Sequence, residues 1–200
     1  MLSKIGLKEL PGKSVLLIEE DLGSIKHIFV QKIGFEAANA GKRVIYITPR
    51  LREDVDRQMS TYYGLKQLEN FEIIENFRDR GSLLDVCSGD VCIIDPFTSL
   101  FIDSDIDELI NTLNSFMASS RKDNRIFLLT SDMGVIPGRA ERIMRSLVDG
   151  VIQLLVAYSG DRINRFINIP KLNGTQPLDR MIPFTVGEEG IAIDTRERIE

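Results

Sequence analysis

The sequence contains few of the residues from which disulfide frameworks, zinc sites and catalytic triads are built. Its 200 residues include two cysteines, Cys87 and Cys92, a single histidine, His27, and no tryptophan. Two cysteines at this spacing give neither a disulfide framework nor a zinc-finger pattern. One histidine by itself makes neither a catalytic triad nor a metal site. We interpret Cys92, which lies within an apolar segment, as a buried free thiol in a protein of the reducing cytoplasm.

Long apolar runs and an excess of positive charge are also lacking. The longest apolar runs are too short to cross a bilayer, and the opening MLSKIGLKEL has no extended apolar stretch of the signal-peptide type. We therefore expect no membrane insertion. The formal net charge is -5, and no strip of aromatic and basic residues is present to stack single-stranded bases. Nucleic acid is therefore not an expected partner.

What is present is an alternation of short apolar segments with longer segments of helical period. In the first helical segment the apolar positions recur at helical spacing: Ile25, Ile28, Phe29 and Ile33. The apolar segments predicted as strands are KSVLLI, RVIYIT, FEII, DVCIID and RIFLLT. The later predicted helices are LREDVDRQMSTYYG, residues 105–118 and residues around 139–147. This alternation predicts a mostly parallel sheet covered by helices, with right-handed crossovers.

After Asp149 the pattern changes from alternation to successive strands. The strand-like segments are GVIQLLVAYSG, RINRFINIP, MIPFTVG and GIAID, and turn signals separate them. They predict an antiparallel β extension at the C-terminal side of the α/β core. We find no internal repeat or linker, so residues 1–200 are predicted to form one domain.

Two segments have the appearance of a phosphate-binding loop. PGKS, at residues 11–14, imitates the end of the motif G-x-x-x-x-G-K-[ST], but Leu7 stands at the first glycine position and a strand follows. We interpret it as a turn. EDLGSIKH lies where the motif belongs, between the first strand and the first helix. There Lys26 is retained, while Glu20 and Ile25 replace the two glycines and His27 replaces the hydroxyl residue.

The order of segments along nearly the whole chain resembles the KaiC-like branch of the RecA-type ATPases. The segments that carry the resemblance are ELPGKSVLLIEED, AGKRVIYIT, VCIIDPFTSLF, LVDGVIQL, RINRFINIPKLNGT and PFTVGEEGIAI. It implies a RecA-like three-layer α/β/α fold with the first strand central, and Asp95 as the Walker B aspartate. It also implies rings or filaments with nucleotide between subunits.

The residues at the phosphate loop depart from the chemistry of that family. Working loops wrap phosphate in backbone N–H groups, and glycines permit the close approach. Ile25 adds a branched side chain there, and Glu20 adds negative charge flanked by Glu19 and Asp21. Two like charges about 4 Å apart repel by about 4 kcal/mol at an intermediate dielectric. We therefore expect poor phosphate binding. His27 also removes the hydroxyl that would hold Mg²⁺.

Two further positions implied by the resemblance are also altered. Pro49 and Arg50 stand where the family has catalytic glutamates after the second strand. The family's K-x-R-G motif, which reaches the γ-phosphate of a neighbouring subunit, is KLNG here: Lys171 is kept and Asn173 replaces the arginine. That change removes the bidentate cation suited to a transition-state phosphate.

These departures predict a vestigial nucleotide site with no catalytic residue and no metal site. The residues assigned to it are Gly23, Ser24, Lys26, Asp95 and Lys171. Two interpretations stay open for Asp95, a residual ligand or a strand-end carboxylate that caps nearby backbone. Lys171 is either such a remnant or a surface charge beside a turn.

The preferred hypothesis is a catalytically inactive KaiC/RecA-like homologue that acts as a regulatory or assembly module. It requires no cofactor, with ATP as an optional ligand. Its expected partners are other copies of itself, as a homo-oligomer, and a protein that the sequence does not identify. One alternative is an ATP-binding protein that holds nucleotide between subunits with little or no hydrolysis. A second is a DNA-binding recombinase paralogue, which the acidic balance disfavours.

Overall fold

The computed structural model describes residues 11–21, 23–63, 68–174, 179–188 and 190–193. The strands in these ranges are β1 (Ser14–Glu20), β2 (Val44–Ile47), β3 (Phe71–Ile74), β4 (Val91–Ile94), β5 (Ile126–Asp132), β6 (Gly150–Ser159), β7 (Arg162–Leu172), β8 (Ile182–Gly187) and β9 (Gly190–Ile193). The helices are α1 (Ile25–Asn39), α2 (Arg52–Tyr63), α3 (Leu83–Val86), α4 (Ile106–Asp123) and α5 (Gly138–Leu147), with a 3₁₀ turn at Thr98–Phe101.

The described strands form one sheet in the order β3-β2-β4-β5-β1-β6-β7-β8-β9. All pairs from β3 to β6 are parallel. The pairs β6–β7, β7–β8 and β8–β9 are antiparallel. The predicted α/β fold, with a mostly parallel sheet, a central first strand and an antiparallel C-terminal extension, is confirmed.

Helices cover both faces of the sheet, and β1 is buried along its whole length. Leu16 and Ile18 pack in the cluster that contains α1 and α2, whereas Val15 and Leu17 pack in the cluster that contains α4 and α5. Because successive side chains of a strand point to opposite faces, the next residues, Glu19 and Glu20, also divide between the two faces.

Several local predictions can be compared with the structure. The segment at residues 11–13 is a bend that leads directly into β1, so the interpretation of PGKS as a turn is confirmed. Cys87 and Cys92 are buried free thiols, as predicted for Cys92. Helix α4 was predicted to end at residue 118 but continues to Asp123, where Asn124 adopts a left-handed conformation and ends it. None of the helices in the described ranges is long and apolar enough to span a bilayer.

Helix α1 lies very close to the sheet because of one glycine. A Cβ atom on Gly34 would come within 2.7 Å of Ile93 Cδ1 and 2.9 Å of Phe71 Cε2. This approach packs the second half of α1 on β2, β3 and β4, while the start of α1 follows the carboxyl end of β1. In open α/β sheets the edge formed by the carboxyl ends of the strands is where ligands bind.

The strands β6 and β7 extend beyond their neighbours. Pairing of β6 with β1 ends at Leu154, and pairing of β7 with β8 begins at Arg165, whereas β6 and β7 pair with each other to the turn. Residues 157–164 therefore form a two-stranded projection, which we call the β6–β7 ribbon. Its residues from 157 to 164 are exposed.

Candidate nucleotide site

The loop between β1 and α1 is filled by the side chain of Glu20. Glu20 Oε1 accepts a hydrogen bond from Ile25 N at 3.3 Å, and Oε2 accepts one from Lys26 N at 3.0 Å. The first N–H groups of a helix have no intrahelical partner and carry partial positive charge. Ser24, the N-cap residue that precedes α1, makes no side-chain capping hydrogen bond. Glu20, which is buried, therefore supplies the anion at the start of α1.

Gly23 makes this arrangement sterically feasible. Its φ is +152°, and a Cβ atom there would lie 2.5 Å from Glu20 Oε1. A side chain at position 23 would thus meet the carboxylate in the place it now occupies. Gly23, the glycine that remains in the loop, therefore leaves room for the carboxylate of Glu20.

Lys26 is buried and its ammonium group is fully engaged. Lys26 Nζ lies 2.6 Å from Asp132 Oδ1 and 3.7 Å from Glu20 Oε2. It also donates a hydrogen bond to the Gly23 carbonyl at 2.8 Å. Buried charges persist when they are paired and hydrogen-bonded in this way. The lysine that would contact phosphate in a working loop is here neutralised by the chain itself.

Asp95 follows β4 and is buried in a second polar cluster on the same face of the sheet. Its Oδ1 lies 2.5 Å from His27 Nδ1 and accepts a hydrogen bond from Thr130 Oγ1 at 2.6 Å. Its Oδ2 accepts a hydrogen bond from the Tyr46 hydroxyl. Both carboxylate oxygens of Asp95 are therefore occupied by side chains of α1, β2 and β5.

The surroundings of Asp95 favour its charged form. Burial alone would raise the pKa of Asp95, but the charge of His27 and the hydrogen bonds from His27, Thr130 and Tyr46 together lower it below the usual value. Burial, and to a smaller extent the negative charge of Asp95, raises the pKa of Tyr46 well above its usual range. The cluster is thus a buried carboxylate held by the side chains of His27, Thr130 and Tyr46.

Glu19 belongs to the opposite face of the sheet. Arg145 Nε of α5 lies 2.8 and 2.9 Å from its two oxygens, and Gln153 Nε2 donates to it at 3.1 Å. Asp21 is exposed. The expectation that all three acids act together on the phosphate position therefore needs correction. Strand alternation turns Glu19 away, and of the three acids it is Glu20 whose side chain bonds to the N–H groups at the start of α1.

A family model described as "ATPase: KaiC" matches residues 73–198, more than half of the chain. The chain belongs to the KaiC family of ATPases. A search of curated protein sequences returned no match.

Two solved structures have the same fold as this KaiC-family chain. The flagellar accessory protein FlaH from Methanocaldococcus jannaschii is 19% identical and aligns with a TM-score of 0.81, covering 96% of this chain and 93% of FlaH. A KaiC-like protein from Pyrococcus horikoshii OT3 is 18% identical, with a TM-score of 0.76 and coverage of 92% and 90%. At such identity the likeness establishes the RecA-like fold, and function is to be argued from the site.

The residues of this KaiC-family chain do not fit the magnesium ion that nucleotide-binding members of the fold employ. Such an ion is held by a loop hydroxyl and by the Walker B aspartate. The hydroxyl position is His27, whose ring contacts Asp95 directly, and the oxygens of Asp95 are already bonded to side chains. Within the described ranges, no three His, Cys, Asp or Glu side chains are placed to hold a metal ion.

Lys171 lies away from Lys26 and Asp95 within one chain. It pairs with Val151, which pairs with Leu17 near the middle of β1, whereas the loop follows the end of that strand. Lys171 Nζ donates to the carbonyls of Ser146 at 2.6 Å and Arg145 at 3.3 Å. These belong to the last turn of α5, where a cation is favourable. The structure thus groups Gly23, Ser24, Lys26 and Asp95 and leaves Lys171 outside the group.

Arg50, at the position implied for a catalytic glutamate, also has a local partner. Arg50 Nη1 donates to Gln58 Oε1 at 3.0 Å, and the same oxygen accepts from Gln31 Nε2 at 3.0 Å. The position therefore carries a cation in place of a general base.

Sequence reasoning missed three partners in this site: Tyr46, Thr130 and Asp132. Each lies in or at the end of a parallel strand, and the carboxyl ends of parallel strands meet at one edge of a sheet. The polar ending TSD of an otherwise apolar strand was the available signal for Thr130 and Asp132.

Proposed function

We propose that this KaiC-family chain is a catalytically inactive ATPase homologue that works as a regulatory or assembly module through protein contacts. The observation that carries the proposal is the carboxylate of Glu20, which accepts hydrogen bonds from the N–H groups of Ile25 and Lys26. In a working loop these groups bind phosphate oxygens. The chain fills its own anion site.

Entry of a polyphosphate would require Glu20 to leave the loop. If it stayed, two negative charges about 4 Å apart would repel by about 4 kcal/mol at an intermediate dielectric. Each 1.4 kcal/mol corresponds to a tenfold change in affinity, so binding would weaken by about a thousandfold. Asp132 adds a further cost, because Lys26 must give up a contact of 2.6 Å to reach a phosphate.

The side chains that would position a metal ion and activate water for ATP hydrolysis are engaged in other contacts as well. His27 and Asp95 bond to each other, and Arg50 bonds to Gln58. No side chain of this group is left to position a metal ion or to activate a water molecule. One structural neighbour is named an accessory protein, and an accessory role in a larger assembly is the kind of function proposed.

The proposal is tested by measuring ATP hydrolysis and ATP binding on the purified chain with Mg²⁺. We expect no stoichiometric turnover, and no rise in melting temperature or calorimetric heat at millimolar ATP. A binding ligand would stabilise the fold by mass action, by about 2.7 kcal/mol at a hundredfold excess over its Kd. A turnover that disappears in Lys26→Ala would refute inactivity. A melting shift without turnover would support the ATP-binding alternative.

A gain of binding gives a sharper test of the filled loop. Glu20→Gly empties the anion site, and we expect ATP to raise the melting temperature of this variant. Glu20→Gln is the matched control, since it keeps the size and the acceptor oxygen and removes the charge. An absence of any ATP response in Glu20→Gly, with the variant folded, would show that the carboxylate is not what excludes phosphate.

A further inference from the structure

The β6–β7 ribbon has one strongly apolar face. Tyr158 and Ile163 are directly opposite each other across its two strands, and they are 78% and 51% exposed. Because successive side chains of a strand alternate between faces, the next pair, Ser159 and Arg162, belongs to the other face. Single exposed apolar residues are ordinary, whereas two large ones side by side on a projection mark a contact surface.

Charges of opposite sign lie at the two ends of this apolar face. Asp161 is in the turn at the tip of the ribbon, and Arg165 follows Ile163 by two residues toward the body of the sheet. At a rise of about 3.4 Å per residue, each charged residue is about 7 Å from Ile163 along the strand. The order along the chain is therefore acid, apolar residue and base, at a constant spacing of two residues.

Neither charge is compensated within the part of the chain that the structure describes. Asp161 is exposed and has no hydrogen-bond or ion-pair partner there. Arg165 is half-buried and has no ion-pair partner in the same ranges, and its Nε lacks a hydrogen bond as well. A partner that supplies one cation and one anion at matching positions would compensate both.

We propose that two copies of this chain dimerise by packing these ribbon faces against each other, with the two tips pointing in opposite directions. A two-fold axis through the Tyr158–Ile163 pair exchanges the ends of the face, so Asp161 of each copy lies opposite Arg165 of the other. This order of charges selects a second copy as the occupant, because it is complementary to itself under that rotation. The inference rests on the proposed assembly function and names the surface that performs it.

The packing follows the rules for two sheets in contact. Sheets that pack face to face lie about 10 Å apart, and their inner side chains fill the space between them. Tyr158 and Ile163 of the two copies would fill that space here. Aromatic residues are enriched at the centres of interfaces, and opposite charges at the margin fix the register.

The symmetry of the contact limits its stoichiometry. An isologous contact uses the same surface on both copies, so assembly is expected to stop at the dimer. Stable interfaces bury about 1,200 Å² or more, and two short ribbons bury less, so we expect a reversible equilibrium that shifts with protein concentration. No nucleotide takes part, and added ATP is expected to leave the equilibrium unchanged.

The apolar centre is tested by one substitution and a matched control. Ile163→Ser removes an apolar side chain that is 51% exposed, and Leu51→Ser removes one that is 52% exposed outside the ribbon. Sedimentation velocity over a concentration series gives the dimer Kd. We expect Ile163→Ser to raise it by about tenfold or more, and Leu51→Ser to leave it unchanged.

The charged ends are tested by reversal. Arg165→Glu and Asp161→Lys each place like charges opposite each other twice in the dimer, so each variant alone is expected to be monomeric. Arg162→Glu is the control, because it makes the same charge change beside the turn on the other face of the ribbon. Circular dichroism melting verifies folding. If Arg165→Glu does not fold, Arg165→Gln replaces it and is expected to weaken the dimer without adding a repulsion.

A mixture of the two reversed variants completes the test. In a dimer of one Arg165→Glu chain and one Asp161→Lys chain, both contacts again join opposite charges, so mixing is expected to restore the dimer. The docking would be overturned by an unmodified protein that stays monomeric at millimolar concentration, or by growth beyond two copies. Equal effects of a variant and its control, or a mixture that stays monomeric, would overturn it as well.

ATP hydrolysis measured on the same samples separates this inference from the proposed function. An inactive protein that remains monomeric overturns the docking and leaves inactivity standing. A hydrolysing protein overturns the proposed function whatever its mass.

Discussion

Replacing Lys26 by methionine is expected to destabilise the folded protein even when no nucleotide is added. In an ATPase whose loop lysine contacts only the bound phosphate, the same substitution would weaken nucleotide binding. It would leave the stability of the nucleotide-free protein almost unchanged. Here Lys26 Nζ lies 2.6 Å from Asp132 and 3.7 Å from Glu20. Methionine keeps much of the length of the side chain but leaves both carboxylates without their cation.

The size of the effect follows from the burial of the two acids. The side chain of Glu20 is 2% exposed, and that of Asp132 is 28% exposed. Removing one partner of a buried ion pair costs about 3–5 kcal/mol. Glu20 keeps its two backbone donors and Asp132 can be hydrated, so we expect about 3 kcal/mol. For a chain of this length that lowers the melting temperature by about 6–12 °C.

Urea unfolding of the nucleotide-free protein measures this loss directly. Lys42→Met serves as the control, because Lys42 is exposed and its ammonium group has no partner among the described residues; its effect should stay within about 0.5 kcal/mol. Combining Lys26→Met with Asp132→Asn should cost less than the sum of the single changes, since the two side chains interact. A loss for Lys26→Met no larger than that of the control would refute the neutralised-lysine interpretation.

Three other perturbations have defined outcomes. The pKa of Asp95 is below its usual value in the folded state, so its charge stabilises the fold above about pH 4 and this contribution is lost as the pH falls further. Urea unfolding at a series of pH values should therefore show a steeper fall in the free energy of unfolding at low pH for the unmodified protein than for Asp95→Asn. Parallel curves would contradict this prediction. Arg145→Met should cost about 3 kcal/mol in urea unfolding, because it leaves Glu19 buried without its cation; a loss below about 1 kcal/mol would contradict this. Gly34→Ala should cost about 1–3 kcal/mol, because the added carbon would lie 2.7 Å from Ile93 Cδ1, and an unchanged melting temperature would show that the helix moves freely.

The order and type of the main elements were predictable because the apolar periodicity is strong. Buried parallel strands give continuous apolar runs, and α4 shows a clear amphipathic pattern. Its C-terminal end was misplaced, since the residues after Ala118 are compatible with a helix and Asn124 ends it through a backbone conformation. The central position of β1 was predicted from the family resemblance, because the order of strands in a sheet cannot be inferred from local periodicity.

The site was predictable in its location and less so in its contacts. Counting from Lys26 located the loop, and alternation along β1 separates Glu19 from Glu20. The direction of the Glu20 side chain depends on a rotamer and on the space above Gly23, which no sequence pattern specifies. The contact between His27 and Asp95 spans 68 positions of the chain. Tertiary packing alone brings those residues together.

The carboxylate of Glu20 also bears on how the loop would respond to changes in cellular ATP under the proposed function. An anion tethered within the chain has a local concentration in the millimolar range or above, and that value never changes. Free ATP rises and falls, and a protein that binds it gains and loses stability accordingly. Under the proposed function, the loop therefore keeps one conformation as the ATP concentration varies. A chain that acts in this way is suited to be a fixed component beside others that respond to energy supply.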